Sequence, residues 1–237
     1  MDQQKARDDQ WAKFRGVEAN SPTNPDAFRM ALYGDDLEGV CYQLQAGADA
    51  NQVFDDGSTP LLEAQTCELA AALIEHGAFV HAEDNYGRTC LHKLAYADHP
   101  DRMGLMFHGL KANLEATDCD GRTPLLTVLA ENQALPEAAI ALLNLGANPH
   151  ACDAQGNNAL HCWAMGRANA NVGMLLIKLD VDPAAKNKRG QTVTDLLIDE
   201  GHGDKINANG MLGSSLVRCD LELSTPQASA DSRARRL

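Results

Sequence analysis

Short apolar segments alternate with polar turns along most of the chain, and the turns recur at a nearly constant distance. Five turns share a central glycine, at Gly57, Gly87, Gly121, Gly156 and Gly190. The intervals between them are 30, 34, 35 and 34 residues. A leucine follows the glycine by four positions in four copies, at Leu61, Leu91, Leu125 and Leu160. This period predicts one helix–turn–helix unit per interval, with the four leucines forming a continuous buried row.

The turns also carry side chains suited to their backbone. Glycine tolerates a positive φ at little cost. An aspartate three residues before the glycine is predicted to accept turn amides at Asp84, Asp118 and Asp153. A threonine two residues after the glycine is predicted to cap the first helix at Thr59, Thr89, Thr123 and Thr192. Phe54 replaces the aspartate in the first copy, so we expect the turn at Gly57 to be the loosest.

One copy carries the whole pattern, since residues 118–126 read DCDGRTPLL and residues 145–148 read LGAN. Because this pattern recurs in phase, the chain resembles the ankyrin-repeat family. The resemblance covers residues 26–212. It implies an all-α ankyrin-repeat solenoid of about six helix–turn–helix units with short β-hairpin-like turns. The approximate units are residues 26–53, 54–83, 84–117, 118–152, 153–186 and 187–212.

The two ends of the chain depart from the repeat. Residues 1–25 are expected to form a partly disordered leader, and residues 213–237 a disordered tail rich in serine, alanine and aspartate. Residues 26–53 match a first unit that has lost its turn. Three side chains are predicted to face inward from its first helix: Ala27, Met30 and Ala31.

Charge and cysteine content limit the classes of partner and the compartment that are expected for the chain. The 237 residues contain 20 Lys and Arg against 33 Asp and Glu, a formal net charge of −13. That balance disfavours nucleic acid and anionic membranes as partners and allows a protein with a basic surface. Seven scattered cysteines and the lack of a signal-peptide pattern predict a location in the cytoplasm. The chain alone is expected to be a monomer. A similarity to bacterial ankyrin proteins makes export into a host cell the alternative.

Histidine and cysteine are the residues that raise the question of catalysis. The family resemblance implies a structural role for His92 and His161, which would bond to backbone in a neighbouring repeat. Neither histidine belongs to a zinc-ligand pattern, and no metal or cofactor is predicted. A cysteine-dependent enzyme or redox-sensitive regulator using Cys162 or Cys90 is the alternative function, and Cys162 is expected to face the groove. Trp163 is predicted to lie in the core.

In the family, the turn tips and the groove face of the first helices bind partners. This resemblance implies a non-catalytic binding module such as a scaffold, adaptor or inhibitor. The tips change from acidic at Asp55 and Asp56 to basic at Lys188 and Arg189, so a partner of opposite polarity is expected to bind in one direction. The predicted partner-binding residues are Tyr33, Asp55, Asp56, Tyr86, Arg88, Lys93, Tyr96, Asp120, Arg122, Gln155 and Asn157.

Overall fold

The computed structural model describes residues 25–131, 134–166 and 169–199. Over these ranges the regular structure is helical, and no strand occurs among the described residues. One isolated antiparallel bridge pairs Cys152 with Asn158. This agrees with the predicted all-α class. The helices are α1 (Pro25–Tyr33), α2 (Leu37–Gln45), α3 (Pro60–Glu63), α4 (Cys67–Glu75), the 3₁₀ helix η1 (His92–Tyr96), α5 (Pro100–Gly109), α6 (Pro124–Ala130), α7 (Pro136–Asn144), α8 (Ala159–Met165), α9 (Ala170–Lys178) and α10 (Val193–Asp199).

Some of the predicted segments fall outside these ranges. Residues 1–24 of the predicted leader and the whole of the predicted tail, 213–237, lie outside the described residues. So does the end of the predicted sixth unit, from residue 200 onward. Within the described ranges, none of the helices combines the length and apolar character needed to span a lipid bilayer.

The contacts between helices form two rows. In the first row α1 contacts α3, η1 contacts α6, α6 contacts α8, and α8 contacts α10. In the second row α2 contacts α4, α4 contacts α5, α5 contacts α7, and α7 contacts α9. Helices that follow each other along the chain also pack across the rows, as α1 does with α2 and α6 with α7. Each described pair therefore gains its buried face from its neighbours along the chain.

The predicted row of leucines is buried. Leu61, Leu91, Leu125 and Leu160 are at most 2% exposed and belong to one apolar cluster that extends through all the helix pairs. Full burial of a leucine stabilises the fold by about 1.5–3 kcal/mol.

Trp163 lies in the same cluster, as predicted, and its Nε1 donates to the carbonyl of Asn169 at 2.8 Å. The tryptophan is thus a core residue with its polar atom satisfied.

The predicted inward face of α1 is partly wrong. Ala31 is buried, but Ala27 and Met30 are only half-buried, and the largest buried side chains of this helix are Phe28 and Leu32. Phe28 and Leu32 are four residues apart and so share one side of the helix. This first pair has no glycine turn from which the helix phase could be counted, which explains the error.

The predicted threonine caps hold at two of four positions. Thr123 Oγ1 accepts the amide of Leu126, and Thr192 Oγ1 accepts the amide of Asp195, both at 3.4 Å. Thr59 and Thr89 make no such bond. There the amide three residues on is taken by the threonine's own carbonyl, at 2.9 and 3.0 Å, in a tighter 3₁₀-like first turn.

Candidate functional site: the row of turns and the adjacent helix face

Each later turn is built on a buried side-chain oxygen. At these positions one Oδ1 accepts the backbone amides of the residues two and four positions later, over 2.8–3.0 Å. The central glycines have φ between 71° and 77°, as expected of them. The prediction that the aspartates accept turn amides is confirmed. The sequence did not predict that an asparagine accepts them in the same way. The four residues are Asp84, Asp118, Asp153 and Asn187.

The first turn uses a different arrangement. Phe54 has no carboxylate, and the Oδ1 of Asp56 instead accepts the amide and hydroxyl of Ser58, at 3.2 and 2.7 Å. The backbone bond from the Phe54 amide to the Ser58 carbonyl is kept, at 2.9 Å. The greater mobility expected of this turn stays a prediction.

Neighbouring turns are joined by single backbone bonds. The carbonyl before the glycine accepts an amide from the next turn in three cases, at 2.8–2.9 Å. In the part of the chain that the structure describes, no equivalent bond joins the Gly57 turn to the Gly87 turn. The three bonds hold the tips of four turns at a fixed spacing. They run from Cys119 to Tyr86, from Ala154 to Asp120, and from Lys188 to Gln155.

The two histidines also join neighbouring turns. Nε2 of His92 donates to the carbonyl of Arg122 at 3.1 Å, and Nε2 of His161 donates to the carbonyl of Gln191 at 3.0 Å. Nδ1 of His92 accepts the amide of Thr89 at 3.0 Å. Both rings are fully buried, and burial lowers the pKa of His92. These contacts match the structural role that the resemblance implied, since neither nitrogen of His92 is left as a base.

The two candidate cysteines are also buried. Cys90 and Cys162 are 2% and 0% exposed, and burial raises the pKa of each thiol to about 12. The expectation that Cys162 faces the groove is wrong. The equivalent residues Glu63 and Lys93 are long enough to reach solvent, whereas the short side chain of Cys162 is covered by its neighbours. A thiol in this state carries little thiolate at neutral pH, which disfavours Cys90 and Cys162 as nucleophiles.

Most of the predicted binding residues reach the surface. Tyr33, Tyr86 and Tyr96 are 41%, 55% and 41% exposed. Asn157 is the exception, because it is only 6% exposed and its amide links Asp153 to Asn187. Its predicted role in partner binding therefore stays a prediction, with little of its side chain at the surface. The other predicted residues are exposed at Asp55, Asp56, Asp120 and Gln155, and half-buried at Arg88, Lys93 and Arg122.

At the N-terminal end, Arg29 connects two of the predicted residues. Its Nη2 donates to Asp56 at 2.7 Å, its Nε donates to the hydroxyl of Tyr33 at 3.1 Å, and its guanidinium lies 4.4 Å from the centre of the Phe54 ring. The same Nη2 is 3.7 Å from a carboxylate oxygen of Glu63. The family resemblance also places Arg29 on the groove face, although it is not among the eleven partner-binding residues predicted above. Its spacing of four from Tyr33 on one helix is the signal that links it to this site.

The Gly87 turn carries a tyrosine–arginine pair and, beside it, a lysine held by an ion pair. The guanidinium of Arg88 lies 5.3 Å from the centre of the Tyr86 ring, a cation–π distance. Lys93 Nζ is 3.2 Å from the buried carboxylate of Asp84, so this predicted binding residue is tied to the turn beneath it. Burial, followed by the nearby carboxylate of Glu131, raises the pKa of Tyr96.

Toward the C-terminal end, four predicted residues meet at one cavity of about 250 Å³. Three consecutive turns and the helices α8 and α10 contribute to its walls. The cavity is lined by Asp120, Arg122, Gln155, Asn157, Met165, Asn187, Arg189, Gln191 and Leu196.

The paired helices and in-phase turns are compatible with ankyrin repeats. No family model matches the chain. It is similar to Notch proteins, which contain ankyrin repeats. It is 33% identical over 145 residues to neurogenic locus notch homolog protein 1 of Xenopus tropicalis. It is 32% identical over 145 residues to the Homo sapiens protein of that name. It is also 34% identical over 111 residues to neurogenic locus notch homolog protein 2 of Homo sapiens. The first two matches cover 60% of this chain and 6% of each relative, and the third covers 47% and 4%.

Proposed function

We propose that the chain is an ankyrin-repeat solenoid of about six units that binds a protein partner without catalysing a reaction. The partner would contact the row of turns and the adjacent face of the first helices. The in-phase turns, the two helix rows and the similarity to the repeat-containing Notch proteins support the architecture. The six described cysteines are free thiols. We further propose that the module acts as a monomer in the cytoplasm, where thiols stay reduced.

The observation that carries this proposal is a set of exposed anchors on turns with fixed geometry. Tyr86 and Arg88 follow a buried carboxylate that holds their backbone amides, and Tyr86 is bonded to the next turn. Tyrosine and arginine supply much of the binding energy in protein interfaces. A surface that is already ordered loses little conformational entropy when a partner binds.

The opposite charges at the two ends of the row favour a partner that binds in one orientation. Asp55 and Asp56 lie on the first turn, and Lys188 and Arg189 lie on the last. The net charge of −13 favours a partner with a basic surface opposite the N-terminal turns. We therefore expect binding to weaken with added salt.

The proposal is tested by quantitative affinity capture from the source cell with the full chain. The test variant is Tyr86→Ala/Arg88→Ala/Tyr96→Ala, which removes the central anchors. We expect partners bound by the wild type to fall at least tenfold, because hot-spot truncations cost about 2 kcal/mol or more each.

The matched control is Phe79→Ser/Leu105→Ser, which removes two side chains that are 68% and 63% exposed but lie away from the row of turns. Circular dichroism should show both variants folded. Equal recovery of every partner by wild type, test and control variants would contradict binding through the turns.

A further inference from the structure

One buried imidazole links the Gly87 turn to the Gly121 turn. Nδ1 of His92 accepts the amide of Thr89 at 3.0 Å, and Nε2 donates to the carbonyl of Arg122 at 3.1 Å. We propose that this His92 link opens in mild acid, because the ring holds both turns only while Nδ1 carries no proton. The inference rests on the proposed function and adds the proton as a second ligand, which acts against the partner at the same turn.

The partners of the ring determine where its proton lies. The carbonyl of Arg122 only accepts and the amide of Thr89 only donates, so the neutral ring carries its proton on Nε2. The hydroxyl of Thr89, 3.0 Å from Nδ1, can rotate to accept a hydrogen bond, but the amide cannot turn its hydrogen away. A second proton on Nδ1 of His92 would therefore point at another donor and break the bond to Thr89.

Burial prevents water from compensating for that lost bond. The ring of His92 is 0% exposed while the link is closed. A charge in an apolar environment is costly unless hydrogen bonds or an opposite charge stabilise it. Burial is the largest influence on this ring and lowers the pKa of His92 below its ordinary value of about 6.5. The ring is therefore protonated more readily once the link has opened to water.

The charged groups near the ring do not offset its burial. Asp84, in the turn before the ring, and Asp118, in the next turn, favour the charged form, and Arg88 opposes it. Both carboxylates already accept two turn amides, and Lys93 of η1 is paired with Asp84. Of the two helices that pack against η1, α6 has no titratable side chain. Those of α5 are all exposed: Asp101, Arg102 and His108.

The direction of the pH effect follows from proton linkage. A histidine with a lowered pKa in the closed state contributes stability that is fully present above the ordinary pKa. This stability is lost as the pH falls from about 6.5 toward the lowered pKa. Within that window the population of the open link should rise about tenfold per pH unit. A partner that binds only the ordered turn and a proton that binds only the open link oppose each other.

The second buried histidine has a different neighbour at Nδ1. Nδ1 of His161 lies 2.6 Å from Oδ1 of Asn158. The side-chain Nδ2 of Asn158 donates to the carbonyl of Asp182 at 3.0 Å, which keeps Oδ1 toward the ring. An oxygen can accept a hydrogen bond from Nδ1, whereas the amide beside His92 cannot. His161, which occupies the equivalent position two turns further along the chain, is therefore the matched control.

The test is amide hydrogen exchange of the full chain, followed by NMR between pH 7.5 and 5.5. The reporters are the amide of Thr89 and that of Cys119, which donates to Tyr86 across the same two turns. Their protection factors, corrected for the intrinsic effect of pH on exchange, should fall about tenfold per pH unit below about pH 6.5 in the wild type and in His161→Gln. They should not change in His92→Gln, because glutamine keeps a donor and an acceptor but does not titrate.

A second measurement does not depend on a variant that folds. The ring of His92 is titrated directly by NMR in the wild type, and its midpoint should lie below about pH 6.5. Three results would overturn the inference: protection that is independent of pH in the wild type, the same pH dependence in His92→Gln, or a ring midpoint at or above about pH 6.5.

Failure of this inference is distinguishable from failure of the proposed function. The affinity capture described above is performed at pH 7.5, where the His92 link is closed. If the partner depends on Tyr86, Arg88 and Tyr96 at that pH and the link shows no response to acid, the chain is a binding module without an acid-sensitive link. If the link responds to acid and no partner depends on these anchors, the proposed function fails instead.

Discussion

At the scale of the residue, the turns depend on charged oxygens that water hardly reaches. Asp84, Asp118 and Asp153 are 9%, 7% and 6% exposed, and each accepts two backbone amides. Burial of a charge is costly unless hydrogen bonds replace the lost hydration. The amides therefore hold the carboxylate, and the carboxylate in turn fixes the direction of the tip side chains.

Replacement of Asp118 by alanine should destabilise the fold by about 1.5–3 kcal/mol, since two amides lose a charged acceptor. Asp120→Ala is the matched control in the same turn, because its carboxylate is exposed, and it should change stability by less than about 0.5 kcal/mol. Urea unfolding followed by circular dichroism measures both. Equal effects of the two substitutions would show that the buried carboxylate does not hold the turn.

The period of the sequence located these carboxylates, but it could not give the exposure of every tip. Asn157 occupies a tip position and is nevertheless buried, because Asn187 of the next turn donates to its side chain. Cys162 occupies a groove position and is covered, because its side chain is short. Exposure depends on the length of a side chain and on what the neighbouring unit places beside it, and neither follows from spacing alone.

At the scale of the element, the same sequence signal produces two kinds of helix start. Thr123 begins α6, where the Thr127 amide bonds to the threonine carbonyl at 2.9 Å and leaves the Leu126 amide to the hydroxyl. Thr59 begins the four-residue α3, where the carbonyl takes the Leu62 amide and the buried hydroxyl has no partner. The sequence predicted a cap at both positions because the motif is the same, and the tighter turn decided the outcome.

This difference predicts opposite responses to one substitution. Thr123→Val should lower the free energy of unfolding by about 1 kcal/mol, because the cap bond is lost. Thr59→Val should be neutral or slightly stabilising, because it replaces an unsatisfied buried hydroxyl with a methyl group. Thermal and urea unfolding of the two variants provide the comparison, and a larger loss at Thr59 would contradict the assigned bonding.

At the scale of the whole molecule, neighbouring pairs share one continuous apolar cluster. Cys90 lies two residues before η1, and Cys162 lies in α8, two helix pairs further along the chain. Both thiols are buried in this cluster, and the Sγ of Cys90 also donates to the carbonyl of Val80 at 3.3 Å. Their reactivity consequently reports on the opening of the stack.

Thiol labelling in the native protein at pH 7 should modify the exposed Cys119 and Cys152 first and leave Cys90 and Cys162 unmodified. Burial raises the pKa of both thiols to about 12, so almost none of either thiol is ionised at that pH. Peptide mapping by mass spectrometry, with and without urea, measures each site. Native labelling of Cys162 as fast as that of Cys119 would contradict the burial and reopen the case for a reactive cysteine.

Among the described residues, the Gly57 and Gly87 turns lack the backbone bond that joins the later turns, which predicts one weaker joint in the row. Beyond this joint, three successive bonds tie the Gly87, Gly121, Gly156 and Gly190 turns together. Bending should therefore concentrate at a single place, with the acidic tip on one side and the basic tips on the other. The distance between the two charged ends would then be adjustable, so that one protein could accommodate ligands of unequal length.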